Sequence, residues 1–275
     1  MLTNRTRNAT GKRMLVTVFT LMLAAGVAGC ATDKMSTGSI SRPSAKSIEN
    51  MSSAELNSTA ASLGKAYSQN TNDKSTALSY AGVLQMSGRQ DQALAVMRKL
   101  AIALPKDRDV LAAYGKALAA VGQLEPALDA VRRAQTPEYP DWKLVSAEGA
   151  ILDQMGQAAQ ARQLYRKALD MKPNEPSVLS NLGMSYVLEG DLRTAETYMR
   201  SAAQAPGADS RVRQNLALVV GLQGRFDEAE KIAREELSPE QAQANVAYLR
   251  NMLSQQNAWN QLKNEDGNKP ETNTN

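Results

Sequence analysis

The chain has 275 residues, one cysteine and no histidine, with 32 Lys and Arg against 28 Asp and Glu. A single thiol allows no intramolecular disulfide, and the lack of imidazole excludes every Ser-His-Asp or Cys-His nucleophile and every histidine-bound metal. The positive excess is local: Arg5, Arg7, Lys12 and Arg13 precede any acidic residue and the rest of the chain is balanced, so a nucleic-acid reading loses its electrostatic basis.

The cationic start leads into the apolar run MLVTVFTLMLAA (Met14 to Ala25) and then the small residues GVAGC, the order of a secretion signal. Twelve apolar residues at 1.5 Å each fall short of a hydrocarbon core about 30 Å thick, so a retained transmembrane helix is the weaker reading. Val27-Ala28-Gly29-Cys30 resembles the bacterial lipobox: an aliphatic residue, two small ones, then cysteine. In that family the thiol receives a diacylglyceryl group, the peptide is cut before the cysteine, and the new amino terminus is acylated. The resemblance makes Cys30 the lipidation site and residues 1–29 a lipoprotein signal peptide. Chemistry agrees, because an exposed free thiol is a liability in an oxidising compartment. Stable anchoring takes at least two chains at ~0.8 kcal/mol per buried CH₂, and a lipobox modification supplies three. Ala31 follows the cysteine, where Asp retains enterobacterial lipoproteins in the inner membrane. The resemblance therefore implies the outer membrane, on its periplasmic face. Residues 30–53, rich in Ser and Thr and poor in large apolar residues, read as a flexible tether.

The stretch SAELNSTAASLGKAYSQN (Ser53 to Asn70) reads as an amino-terminal capping helix, with Leu63 and Ala66 at its packing positions. Beyond it the chain repeats. Gly88, Gly122, Gly156, Gly190 and Gly224 recur at a constant spacing of 34, and Ala93, Ala127, Ala161, Ala195 and Ala229 follow in the same register. Composition alone does not place five glycines so when Gly is ~7% of residues. The unit from Trp142 has helical spacing, with Leu144, Val145, Leu152 and Met155 on its first helix and Leu164, Tyr165, Ala168 and Leu169 on its second. No stretch alternates with period two, so no strand is expected.

The period and pattern resemble the tetratricopeptide repeat, a helix–turn–helix unit of 34 residues. Small residues at the eighth position (Ala81, Gly115, Gly149, Gly183, Ala217) admit a close partner helix, and the glycine seven residues later suits a left-handed helix end. Met97, Val131, Tyr165 and Met199 fill the space between units, and Pro105 and Pro173 stop second helices. Pro140, Pro206 and Pro239 are displaced, so those turns should differ. At the end, SPEQAQANVAYLRNMLSQQ (Ser238 to Gln256) opens with Ser at the N-cap, Pro next and Gln three after the Ser, and reads as a second capping helix. The expected organisation is an all-α, right-handed superhelical solenoid over 54–257, about five repeats over 74–241 with a capping helix at each end, and a disordered polar tail over 258–275.

Fold does not give function for such scaffolds. The glycines punctuate repeats and form no phosphate loop, and pairs such as Asp107 with Asp109 or Glu235 with Glu236 read as solvated charges or helix-end contacts. No catalytic residue, metal site or cofactor is expected. The stretch Arg213 to Leu253 resembles TadD, the tetratricopeptide lipoprotein of tight-adherence (Flp, type IVc) pilus machinery, through Asn215-Leu216-Ala217, Gly221-Leu222-Gln223-Gly224-Arg225 and Asn245-Val246-Ala247-Tyr248-Leu249-Arg250. That likeness implies a scaffold for pilus assembly or secretin proteins, with no nucleic acid and no small-molecule substrate. A general periplasmic adaptor or pilotin-like lipoprotein, serving a secretin, a peptidoglycan hydrolase or a protease, shares the same features. A cytoplasmic co-chaperone is disfavoured by the signal segment.

In tetratricopeptide arrays the first helix of each pair lines the ligand groove. Its second, fifth, sixth, ninth and twelfth positions supply Lys116, Lys143, Ser146, Asp153, Ser180, Asn181, Arg211, Gln214 and Asn215 here. The lysine and asparagine set of the carboxylate-clamp co-chaperones is missing, so capture of a C-terminal carboxylate is not expected.

Overall fold

The structure, a computed structural model, describes residues 51–136, 138 and 140–267. The expected signal peptide (1–29), Cys30, nearly all of the expected tether and the last eight residues of the expected tail lie outside the described residues. Among the described residues there are twelve helices and no strand of a sheet, and no helix is long and apolar enough to cross a membrane. The chain divides into two compact units between Lys172 and Pro173.

The first unit holds α1 (Ser53–Gln69) and three helix pairs: α2 (Lys74–Met86) with α3 (Gln90–Ala103), α4 (Arg108–Ala120) with α5 (Leu124–Ala134), and α6 (Trp142–Gln154) with α7 (Ala158–Met171). The second holds α8 (Pro176–Glu189) with α9 (Leu192–Gln204), α10 (Ser210–Leu222) with α11 (Phe226–Ala233), and α12 (Pro239–Gly267). Within each unit consecutive helices pack, and first helices of neighbouring pairs also touch: α2 on α4, α4 on α6, and α8 on α10.

The repeat register decides both ends of the first helices. Asp73, Asp107, Asp141 and Asp209 recur in it, and each accepts hydrogen bonds from backbone N–H groups of the first turn that have no helical partner. Glu175 holds the same register without such a bond, and Pro176 opens α8 at a position where a missing N–H costs nothing. At the other end the five register glycines all have positive φ, from +74° to +90°. That is the left-handed geometry expected for them, and a Cβ there is strained whatever the surrounding space.

Between the ends, small residues let the pairs close. A Cβ on Gly115 would meet Val131 Cγ2 at 2.7 Å and the Ala127 carbonyl oxygen at 3.1 Å. Met97, Val131, Tyr165 and Met199 are buried in the gaps they are expected to fill. Lys74 bridges the first two pairs by binding Asp107 and Asp109, each at 2.8 Å.

The ends of the array depart from the sequence reading in detail. Helix α1 starts at Ser53, where the expected capping helix begins, because Ser52 and Glu55 form a reciprocal capping box. It buries Leu56 and Ala60 against Val83, while Leu63 is half-buried and Ala66 is exposed, so the buried stripe lies nearer the start of the helix than expected. Helix α12 has the expected cap: Ser238 Oγ accepts from the Gln241 N–H and the Gln241 side chain accepts from the Ser238 N–H. It buries Ala242, Val246 and Leu249, then continues past 257 to Gly267. No Gly or Pro falls between Pro239 and Gly267 to stop it, so 258–267, expected as polar tail, is helical.

Candidate partner-binding face

The first-helix positions that nominate a groove divide into exposed and enclosed ones. In the first unit Lys116 is exposed on α4 and Lys143 on α6, with the Lys143 ammonium 5.6 Å from the centre of the Trp142 ring. In the second unit Arg211 is exposed and grips Asp209 Oδ2 from Nε at 3.0 Å and from a terminal nitrogen at 2.7 Å. Asn181, Gln214 and Asn215 are half-buried, and Gln214 donates to Ser210 Oγ at 2.9 Å.

Ser146, Asp153 and Ser180 are not groove residues in this sense, because each is more than nine-tenths buried. Asp153 accepts a hydrogen bond from the Tyr165 hydroxyl at 2.9 Å. Ser180 Oγ lies 3.6 Å from Met199 Sδ and accepts from Asn215 Nδ2 at 3.1 Å. Asp153 at the twelfth position and Ser180 at the fifth therefore turn toward the second helix of their pair, where Tyr165 and Met199 reach them, whereas Gln214, also a fifth-position residue, stays half-buried. Burial, and secondly the Asp153 charge, push the Tyr165 hydroxyl far above its ordinary pKa.

What remains open in the second unit is a polar strip on α8 and α10, tied across the two helices by the bond from Asn215 to Ser180. Met184 and Leu218, both half-buried, share the ninth position on the same helices and add two apolar side chains to it. Amide side chains of this kind donate and accept at once, which suits the backbone of an extended partner.

A charge network in the second unit escapes the groove reading. Glu196 on α9 receives both terminal nitrogens of Arg225 at 2.6 and 3.0 Å, Gln223 at 2.8 Å, and Arg200. Glu228 takes Arg200 at 2.6 Å and Arg225 at 3.0 Å. Hydrogen bonds from Arg225 first, then from Gln223 and Arg200, hold the Glu196 pKa down to about 2 against the opposing effect of burial. The network ties α9 to α11 and the turn before it, so its role is architectural. The Gln223-Gly224-Arg225 triplet carries the sequence signal for it, but only the structure shows that Glu196 receives both side chains. Beside it, an open cavity of about 380 Å³ is lined by Gly224, Arg225, Phe226, Asp227, Glu228 and Arg250. Its cations are already engaged, with Arg250 stacked 4.7 Å over the Phe226 ring. Among the described residues no group of three or more His, Cys, Asp or Glu side chains is placed to hold a metal ion.

Residues 147–175 match the family model described as tetratricopeptide repeat. Among curated proteins, no sequence matches the chain significantly. Solved structures do. A thermophilic TPR protein of Thermus thermophilus is 23% identical with a TM-score of 0.55, the match covering 64% of this chain and 97% of that one. PilW, a widely conserved type IV pilus biogenesis factor, is 19% identical at 0.54, covering 73% and 91%. The APC/C hetero-tetramer Cut9-Hcn1 is 15% identical at 0.55, covering 74% of this chain and 41% of that one. At such identities the likeness is one of fold. Twelve helices among the described residues, a 34-residue register of caps and glycines, and a matched repeat at 147–175 make this an all-α tetratricopeptide-repeat fold.

Proposed function

We propose that the chain is a non-enzymatic scaffold, anchored through lipid on Cys30 to the periplasmic face of the outer membrane, that binds partner proteins during assembly of a tight-adherence pilus. The binding role is carried by one observation: the half-buried amides Asn181, Gln214 and Asn215 on neighbouring first helices, beside the half-buried apolar Met184 and Leu218. Their donors and acceptors fit an extended segment of a partner chain. Within the second unit the groove is then formed by Asn181, Arg211, Gln214 and Asn215, with Ser180 positioning Asn215 from below. The resemblance of Arg213 to Leu253 to TadD supports the pilus assignment, as does the shared fold of PilW, a factor of type IV pilus biogenesis. The expected partners are pilus assembly or secretin proteins, and no cofactor is involved.

Deletion of the gene tests this reading. Pilin should still accumulate inside the cell while surface pili and adhesion disappear, and a wild-type copy should restore both. Normal piliation, with altered peptidoglycan or protease phenotypes, would point instead to a general periplasmic adaptor.

A further inference from the structure

All five repeats carry arginine in one register, at Arg98, Arg132, Arg166, Arg200 and Arg234, and in the first three a second cation follows: Lys99, Arg133 and Lys167. The two units treat this register differently. In the second unit Arg200 is bound to Glu196 and Glu228, and Arg234 to Glu230. In the first unit Arg132 meets Glu148, and Arg133 meets Asp129 and the Pro105 carbonyl. The side chains of Arg98, Lys99, Arg166 and Lys167, however, are exposed and make no hydrogen bond or ion pair among the described residues.

Helices α3, α5 and α7 together hold seven cations against four carboxylates. Residues 51–172 carry fifteen Lys and Arg against twelve Asp and Glu, whereas 173–275 carry ten against fourteen. Arg98, Ile102 and Arg133 line one shallow cleft of about 200 Å³ with Ala101, Leu111 and Tyr114, which places Arg98 of α3 and Arg133 of α5 on a common face. Ile102 stands 77% exposed beside them, the most exposed large hydrophobic side chain among the described residues.

We propose that this face of α3, α5 and α7 lies against an anionic phospholipid surface, with Ile102 entering the headgroup layer. A cationic register repeated over three helices suits a planar field of phosphates rather than one bound anion. Each exposed Lys or Arg near such a surface adds to an attraction that salt screens. The cationic unit is also the one that follows Cys30 in sequence. The setting rests on the lipid-anchor reading, but the test does not.

The test uses the full chain bearing Cys30→Ser and Ile102→Cys, with an environment-sensitive fluorophore on the one remaining thiol. It is mixed with vesicles of phosphatidylglycerol and phosphatidylcholine, or of phosphatidylcholine alone. The expected result is co-sedimentation and a blue-shifted probe on the phosphatidylglycerol vesicles only, both lost at high salt. Arg98→Glu, Lys99→Glu, Arg166→Glu and Lys167→Glu together should lower partitioning roughly tenfold or more. Attachment through the segment Arg5 to Ala25 would also favour phosphatidylglycerol, because four cations precede the apolar run, but it would be indifferent to these four substitutions and would leave the probe at residue 102 in water. The Cys30→Ser chain alone repeats the sedimentation without the label. Equal partitioning onto both vesicles, or a probe that stays in a water-like environment, would overturn the proposal. Salt-sensitive self-association without lipid would assign the face to a second copy and overturn it too. Lipidation is read separately by palmitate labelling, so failure here and failure of the anchor are distinguishable.

Discussion

The Tyr165 hydroxyl donates a hydrogen bond to Asp153 across 2.9 Å inside the third helix pair, with both side chains buried. Tyr165 occupies the position that Met97, Val131 and Met199 hold in other repeats, and it alone among these carries a polar tip. Tyr165→Phe keeps the ring and removes a hydrogen bond from a buried carboxylate. The expected loss is about 1–3 kcal/mol in chemical denaturation. An unchanged midpoint would show that Asp153 is satisfied without the tyrosine.

Two glycines of the second pair should respond oppositely to asparagine. At Gly122, with φ +78° and open space around a Cβ, the difficulty is backbone conformation, which asparagine tolerates better than alanine. At Gly115 it is contact with Val131 and the Ala127 carbonyl, which a larger side chain worsens. Gly122→Asn should therefore cost less than Gly122→Ala, and Gly115→Asn more than Gly115→Ala, with alanine at 115 costing about 1–3 kcal/mol. Denaturant midpoints of the four variants decide this, and the same ranking at both sites would contradict it.

The depressed pKa of Glu196 sets an acid limit on the second unit. A carboxyl whose folded pKa, about 2, lies below an unfolded value of roughly 4.3 adds stability above the unfolded value and loses it as pH falls toward the folded one. The wild-type chain should thus melt higher than Glu196→Gln near neutral pH. That advantage should shrink as pH falls from about 4 toward 2. A constant difference across this window would mean that the arginines do not hold the carboxylate as the geometry indicates.

Cys30→Ser should abolish palmitate labelling and release the chain from the outer-membrane fraction or leave its precursor uncut. Equal labelling of wild type and variant would remove the lipid anchor.

The 34-residue register was enough to place the helix pairs, the left-handed glycines and the residues that fill the gaps, because each depends on local conformation or on size. The N-cap aspartates Asp73, Asp107, Asp141 and Asp209 stand 34 or 68 residues apart in that same register, a signal on which none of the sequence expectations rests. Which polar residues face solvent was not readable. The register fixes the angle of a side chain about its own helix, but not whether a neighbour reaches over it, as Tyr165 does over Asp153 and Met199 does near Ser180. The run of α12 to Gly267 was hidden for another reason. Polar composition after 257 suggested tail, whereas the backbone meets no breaker there.

The proposed binding face on α8 and α10 is tested most directly by co-purification of crosslinked partners with the full chain, comparing wild type with the Asn181→Ala, Asn215→Ala double variant. Loss of the Asn215 bond to Ser180 and of the interaction Asn181 makes, both at half-buried sites, should lower stability by about 1 kcal/mol each. The variant should therefore remain folded with helicity close to wild type. With the fold intact, pilus assembly or secretin proteins should be recovered with the wild-type chain and several-fold less with the variant. Undiminished recovery by a folded double variant would contradict partner binding through these amides.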